Sequence, residues 1–350
     1  KQNLQKIAKR YQDRGFDYEN ENLFRLIVVN LGSSYELIWQ QHHLILDGWS
    51  NALLLEEYNK LLNLNSNSNQ IYTPFRFSQY INYIEKLNTS ASKKYWIKYF
   101  EDSEIYMKIS PFESNHKKYD KHSLDEYIDE LSFQKLNLIA TQNKVTINTI
   151  FSVCWAISIE DYFSEYQVLF GSVVSGRNFP LDNIEKMIGL FINTIPRKVQ
   201  ISKDKKIIEV LNEYQFDFNN SFKYHNLSLA EIQSLNRNQH NIINHLLIFE
   251  NYPNRSENTS SYFNEAKVKT HAQTHYDLSV AISCGDSLSY RFDFNANVIS
   301  EEKIKILSKK MKFLLENLDS IMYSPISGLR YPKEFYPEDT VFDIDYSINN

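Results

Sequence analysis

The stretch "SYELIWQQHHLILDGWS", residues 34–50, holds two adjacent histidines shortly before an Asp-Gly pair. Its first part has the alternation of a β-strand, in which successive side chains point to opposite faces. If the strand continues through the histidines, Gln41 and His43 face one side while His42 faces the other. We therefore predict that one imidazole lines a reaction site and that the other packs behind it as support.

Length and composition favour a globular α/β protein. The chain has 350 residues, of which 42% are hydrophobic and 14% aromatic, enough for two lobes or two small domains. A net charge of -5 and a pI near 6.0 argue against nucleic acid or an anionic membrane as a partner. Two cysteines and the lack of a run of about 20 apolar residues lead us to expect a cytoplasmic protein.

Elements on both sides of the motif can be predicted from local pattern. The run "LFRLIVVNL", the turn "GSS" and the run "YELIWQQHHL" predict a β-hairpin in which Gly32 permits a tight turn. After Asp-Gly, the spacing of leucines predicts a helix, with Ser50 as a candidate N-cap. Further along, helical and strand patterns alternate up to a closing helix from Ser300 to about Met322, which indicates an α/β layered fold in each half.

Three kinds of chemistry are open to the histidine motif when the residues are considered alone. A neutral imidazole is a suitable general base near pH 7. A metal site would need a third ligand and a helix to join His43 to Asp47, and Gly48 argues against that helix. A Ser-His-Asp relay would need a nucleophile, but no Gly-x-Ser-x-Gly elbow is present and Cys154 lies in an apolar run. The residues favour a histidine acting on nucleophiles that the substrates bring.

A second region, "GSVVSGRNFPLDNIEKMIGLFINTIPRKV" at 171–199, gives the motif its context. The two regions together, with "YWIKYF", "VTINTIF", "IFENYP" and "YDLSVAI" in the same order, make the chain resemble the condensation domain of nonribosomal peptide synthetases. This family belongs to the chloramphenicol acetyltransferase-like acyltransferases. The resemblance extends over about residues 10–325.

The resemblance implies an α/β fold of two chloramphenicol acetyltransferase-like lobes in a V-shaped arrangement, with a tunnel between them. We expect residues 1–115 to be the C-terminal portion of an amino-terminal lobe that is incomplete in this chain, and residues 116–330 to be the carboxy-terminal lobe. Residues 331–350 are expected to be a linker to a following domain.

The implied reaction is amide formation between a donor acyl or peptidyl thioester and the amine of an acceptor aminoacyl thioester. His43 would remove or relay the amine proton, and Asp47 would hold the loop by pairing with an arginine, for which Arg177 is the candidate. Gly48 would leave room for substrate, and Asn193 would bind a carbonyl or give structural support. The other expected site residues are His42, Trp49 and Ser50.

No cofactor is expected to bind directly, and no metal. The substrates are expected to arrive on the phosphopantetheine arms of donor and acceptor carrier proteins, beside a neighbouring adenylation domain. Three alternatives stay open: an epimerization domain, an acyltransferase that uses free coenzyme A thioesters, and a catalytically inactive carrier-docking module. The run "DGWSNALLLEE" favours condensation over epimerization, and the intact motif argues against the inactive module.

Overall fold

The computed structural model describes residues 2–63, 75–101, 119–160, 167–236, 243–250, 274–285 and 287–335. These residues form two compact units. The first unit contains the described residues of Lys1–Leu87 and of Ser175–Ile192, and the second contains those of Asn88–Val174, Asn193–Asn251 and His271–Asn350. The predicted lobe boundary at 115 lies outside the described residues, as do residues 336–350 of the predicted linker. The division into lobes stays a prediction.

The first unit is built around a β-hairpin and three helices. Strands β1 and β2 pair antiparallel, with Leu26 opposite Trp39, and the intervening Gly32 has a φ of +90°. Such a φ is rarely adopted by residues with a side chain, so the predicted Gly32 turn is confirmed. The bounds are α1 (Gln2–Arg14), β1 (Phe24–Asn30), β2 (Tyr35–Gln41), α2 (Gly48–Asn63) and α3 (Phe77–Glu85).

The segment 175–192 packs against α3 in the first unit. Ile184, Met187 and Phe191 form a small buried apolar cluster, against which Phe77 and Tyr80 of α3 pack. The ring of Phe191 lies 5.0 Å from that of Phe77 and 4.6 Å from that of Tyr80. Residues more than 100 positions apart in the sequence thus share one core beside the histidine motif.

The second unit contains a six-stranded mixed sheet in the order β3-β8-β7-β6-β4-β5. The pairs β4–β6 and β6–β7 are parallel, and the other neighbouring strands are antiparallel. The strands are β3 (Lys121–Ile128), β4 (Gln167–Val174), β5 (Asn193–Gln200), β6 (His245–Glu250), β7 (Leu278–Cys284) and β8 (Leu288–Asn295). The helices of the unit are α4 (Ser90–Glu101), α5 (Glu130–Asn143), α6 (Ile147–Ser158), α7 (Ile207–Ser221), α8 (Leu229–Ser234), α9 (Glu301–Glu316) and α10 (Leu318–Ile321).

The apolar run around Cys154 forms α6, and this helix lies at the centre of the second unit's core. All residues from Thr149 to Ser158 are buried, and the core combines α6 with the apolar faces of α7, α9 and the sheet. The closing helix predicted from Ser300 to Met322 is interrupted, because α9 ends at Glu316 and α10 begins at Leu318. Ser300 caps α9 by accepting a hydrogen bond from the Lys303 backbone N–H.

Tyr331 lies in the segment that the sequence assigns to a linker. It packs against the second unit's core, and its ring lies 5.7 Å from that of Phe313. Thus at least the first residue of the predicted linker belongs to the folded unit. In the described part of the chain, no helix is both long and apolar enough to cross a membrane.

Candidate active site

The two motif histidines lie just beyond a strand. Strand β2 ends at Gln41, and the backbone then turns, with the Ile45 N–H donating to the His42 carbonyl at 3.3 Å. The prediction that pleating carries both histidines to opposite faces is therefore wrong, since neither lies on the strand. The local turn sets their different surroundings: His42 is half-buried and His43 is exposed.

Asp47 is the anchor of this turn, and its side chain is completely buried. One carboxylate oxygen accepts the Ser50 backbone N–H at 2.7 Å, and the other accepts the Phe191 backbone N–H at 2.9 Å. The first bond makes Asp47 the N-cap of α2, so the prediction that Ser50 is the cap is wrong. The second oxygen of the same carboxylate also binds segment 175–192, through the Phe191 N–H.

Arg177 is the ionic partner of Asp47, as predicted. Its guanidinium nitrogen lies 3.5 Å from the carboxylate, and 5% of the arginine side chain is exposed. The same guanidinium donates to the carbonyls of Ile184 and Met187 at 2.5 and 2.9 Å, and it lies 3.9 Å from the centre of the Phe191 ring. Burial lowers the pKa of Arg177, and the charge of Asp47 opposes that shift.

Ser50 connects the helix N-terminus to segment 175–192. Its hydroxyl donates to the Gly189 carbonyl at 2.7 Å, accepts the Gly189 N–H at 3.0 Å and accepts from Arg177 at 3.0 Å. Trp49 makes a further connection, because its indole N–H donates to the Glu185 carbonyl at 2.8 Å. These contacts favour structural support for both residues. Gly48 is the first residue of α2, and its expected role in admitting substrate stays a prediction.

Two glycines allow the segments to approach closely. A Cβ on Gly189 would overlap the ring of Phe77, and one on Gly176 would overlap the Phe191 carbonyl oxygen. Gly176 also has a φ of +63°, a conformation that favours glycine. The small residues that the sequence shows beside Arg177 and within "GLFINT" are therefore required by packing.

Asn193 belongs to the second unit, where its side chain is fully engaged. Both of its amide hydrogens go to backbone carbonyls, those of His225 at 3.0 Å and Leu227 at 2.6 Å. Its side-chain oxygen accepts the Thr194 N–H at 2.9 Å. Because both amide hydrogens are engaged within the unit, these bonds do not favour a contact between Asn193 and a substrate carbonyl, which stays a prediction. The alternative of structural support is favoured.

The family of this chain follows from comparison with known proteins. A family model described as "Condensation domain" matches residues 1–339. The chain belongs to the condensation domain family. It is 30% identical over 326 residues to bacitracin synthase 3 of Bacillus licheniformis. That alignment covers 90% of this chain and 5% of the synthase. It is 31% identical over 309 residues to tyrocidine synthase 2 of Brevibacillus parabrevis, in an alignment that covers 85% of this chain and 9% of that synthase. The chain thus spans less than a tenth of each of these two synthases.

Solved structures support the fold prediction. The holo form of AB3403, a four-domain nonribosomal peptide synthetase bound to AMP and glycine, aligns with a TM-score of 0.77 at 16% identity. The alignment covers 97% of this chain and 27% of that one. The predicted α/β fold of the chloramphenicol acetyltransferase type and the predicted condensation domain are confirmed. None of the alternative functions is better supported.

Tyr18 is a residue near the motif that sequence reasoning missed. Its hydroxyl lies 3.2 Å from Nε2 of His42, and the two rings meet edge to face at 5.1 Å. The sequence around it, "RGFDYENEN", gives a weak turn signal and nothing that points to a histidine 24 positions later. Among the described residues there is no group of three or more His, Cys, Asp or Glu side chains arranged to hold a metal ion.

Proposed function

We propose that this condensation domain forms an amide bond between a carrier-bound donor thioester and the amine of a carrier-bound acceptor. The observation that carries the proposal is the contrast within the motif. Asp47 is buried and fully bonded, whereas His43, four residues earlier, is exposed and has no hydrogen-bond partner among the described residues. The turn is built so that one imidazole stays available.

The chemistry makes modest demands on such a histidine. The acceptor nitrogen attacks the donor carbonyl carbon, the carbon–sulfur bond breaks, and the amine proton must leave while the thiolate departs. An α-amine has a pKa of about 7.7–8.0 and a thiol one of about 8.5, so neither group needs strong activation near pH 7. His43 would accept the amine proton and pass it towards the departing sulfur, which is worth roughly 10²- to 10⁴-fold in rate.

The substrates are proposed to arrive on phosphopantetheine arms of donor and acceptor carrier proteins, next to an adenylation domain. Relatives that match this chain are peptide synthases, and a structural neighbour is a four-domain synthetase. Tethering holds both reactants at the site, which can replace much of the catalysis that activated side chains would otherwise provide.

The test is amide formation with loaded carrier proteins. His43→Ala should lower the rate by roughly 10²- to 10⁴-fold while leaving the folded state unchanged, because the side chain is exposed. His122→Ala, at an exposed position in β3, is the matched control and should retain full activity. Retention of most activity by a folded His43→Ala protein would contradict the assigned role. Faster reaction with free coenzyme A thioesters than with carriers would instead support the free-thioester alternative.

A further inference from the structure

The hydrogen bonds of His42 fix which of its ring nitrogens carries the proton. The Leu44 backbone N–H donates to Nδ1 at 3.1 Å, so Nδ1 must present a lone pair. The proton of the neutral ring is then on Nε2, which lies 3.2 Å from the hydroxyl of Tyr18 and donates to it. With Nδ1 occupied by an amide and Nε2 already protonated, His42 has no free site to accept a substrate proton.

The loop that carries Tyr18 is held in place by its own acidic residues. The carboxylate of Asp17 accepts the backbone N–H groups of Glu19 and Asn20 at 3.0 and 3.2 Å and the side-chain amide of Asn20 at 2.9 Å. Glu21 in turn accepts the Asp17 backbone N–H at 2.8 Å. These local bonds fix the conformation of the loop that carries Tyr18.

The same loop is attached to the hairpin through Arg25 of β1. Its guanidinium pairs with Glu21, donates to the Gln40 side chain at 2.9 Å and lies 4.2 Å from the centre of the Phe16 ring. Phe16 also meets the edge of the His42 ring at 6.3 Å. The loop therefore has two aromatic residues, Phe16 and Tyr18, whose rings lie near that of His42.

We propose that Tyr18 is a positioning residue for the condensation reaction. It holds the neutral, Nε2-protonated tautomer of His42, and through His42 and Leu44 it orients the turn that presents His43. This inference rests on the proposed function, and it assigns to Tyr18 no contact with substrate. Because 64% of Tyr18 is exposed, its removal should alter the turn more than the stability of the whole fold.

The first test measures the histidine directly and needs no activity. In protein labelled with ¹⁵N at histidine, the ring signals of His42, identified by their loss in His42→Asn, should show a protonated Nε2 and an unprotonated Nδ1. Tyr18→Phe should speed exchange of the Nε2 proton with water and of the Leu44 amide. Tyr35→Phe, at an exposed tyrosine in the same unit, is the control and should leave both unchanged. A proton on Nδ1, or unchanged exchange in Tyr18→Phe, would overturn the inference.

The second test uses the reaction with loaded carriers. Tyr18→Phe should lower kcat roughly 2- to 10-fold, the size expected for one neutral hydrogen bond, with little change in KM. In a His42→Asn background, where the partner of Tyr18 is gone, the same substitution should change kcat less than about 2-fold, because coupled residues are not additive. Equal effects in both backgrounds would refute action through His42. If the unmodified protein forms no amide, the proposed function fails, and the histidine signals still decide the role of Tyr18.

Discussion

Two buried arginines, one in each unit, show different ways of holding a positive charge. Arg177 in the first unit pairs with Asp47, whose side chain is 0% exposed. Arg197 in the second unit is itself 0% exposed, but its carboxylate partner, Asp217, is 38% exposed, at a distance of 3.0 Å. Both guanidiniums lie near aromatic rings, Arg177 over Phe191 and Arg197 over Tyr214. The pairs therefore differ mainly in how well water reaches the acid.

The two ion pairs also differ in the segments that they join. Asp47 joins a helix N-terminus and segment 175–192 through one buried carboxylate, beside the bonds that Ser50 makes to the same segment. Arg197 pairs with a more exposed acid, and it donates to the Ser221 hydroxyl at 3.2 Å and to the Tyr214 carbonyl at 3.3 Å. The first pair therefore links two segments at the motif turn, and the second links β5 to α7 within the second unit.

The comparison is tested most strongly at Asp47. Asp47→Ala removes the acceptor of two backbone N–H groups and leaves Arg177 without its buried counter-charge, so we expect the first unit to lose about 3–5 kcal/mol. Hydrogen exchange at the Ser50 and Phe191 amides should accelerate accordingly. Asp47→Asn keeps one oxygen acceptor and should lose less. If both amides stay protected in Asp47→Ala, the turn does not depend on this carboxylate.

A second prediction concerns the close packing around the first arginine. Gly189→Ala would push a methyl group into the ring of Phe77, which is confined by Phe191 and Tyr80. Overpacking of this kind costs about 1–3 kcal/mol, and the cost should fall on the first unit. Gly328→Ala is the control, since a Cβ there meets nothing within 4 Å. Equal unfolding free energies for the two variants would show that the ring of Phe77 moves aside freely.

The third prediction concerns the stability of the second unit at acidic pH. Burial, and next the charge of Arg197, lower the pKa of His225 to about 3, and burial lowers that of His245 to about 3. An unfolded histidine has a pKa near 6.5, so between about pH 6.5 and 3 the unfolded chain binds more protons. Stability should therefore be retained above about pH 6.5 and fall with decreasing pH by about 1.4 kcal/mol per unit for each histidine.

His225→Gln removes one of these two groups from the same unit. Urea unfolding of the variant, repeated at several pH values between about 7 and 4, should show a slope that is shallower by about 1.4 kcal/mol per pH unit. An unchanged slope would mean that His225 has the same pKa in the folded and unfolded chains. Water would then reach His225 and its surroundings in the folded protein.

Local pattern predicted much of the fold, because hairpins and helices follow from neighbouring residues. The Gly32 turn and the helix that follows Asp-Gly could both be predicted in this way. The end of β2 could not, since the apolar and aromatic run continues past Gln41, whereas the turn between the His42 carbonyl and the Ile45 N–H redirects the backbone. Periodicity describes which residues suit a strand and not at which residue a turn ends it.

The candidate site was predictable only where the motif itself implied a contact. The pairing of Asp47 with Arg177 was expected from a structural role for the aspartate in holding the loop, and the two groups lie 3.5 Å apart. The sequence could not show that Asn193 spends both amide hydrogens on carbonyls of its own unit, or that Tyr18 meets His42. Such contacts depend on loop geometry, for which these stretches give no periodic signal.

The smallest expected effect lies at Asp217, and it completes the contrast between the two arginines. Asp217→Ala should destabilise the second unit by at most about 1 kcal/mol, because 38% of the Asp217 side chain is exposed and Arg197 keeps its bonds to Ser221 and Tyr214. Glu213→Ala on the same helix removes an exposed partner of Lys205 and gives the baseline for a surface pair. A loss near that of Asp47→Ala, measured by urea unfolding, would show that the carboxylate of Asp217 is indispensable to a fully buried guanidinium. In that case each buried guanidinium would need its carboxylate, whether that acid is buried or exposed. The order of the motif turn would then be due to the bonds of Ser50 and Trp49 as much as to those of Asp47.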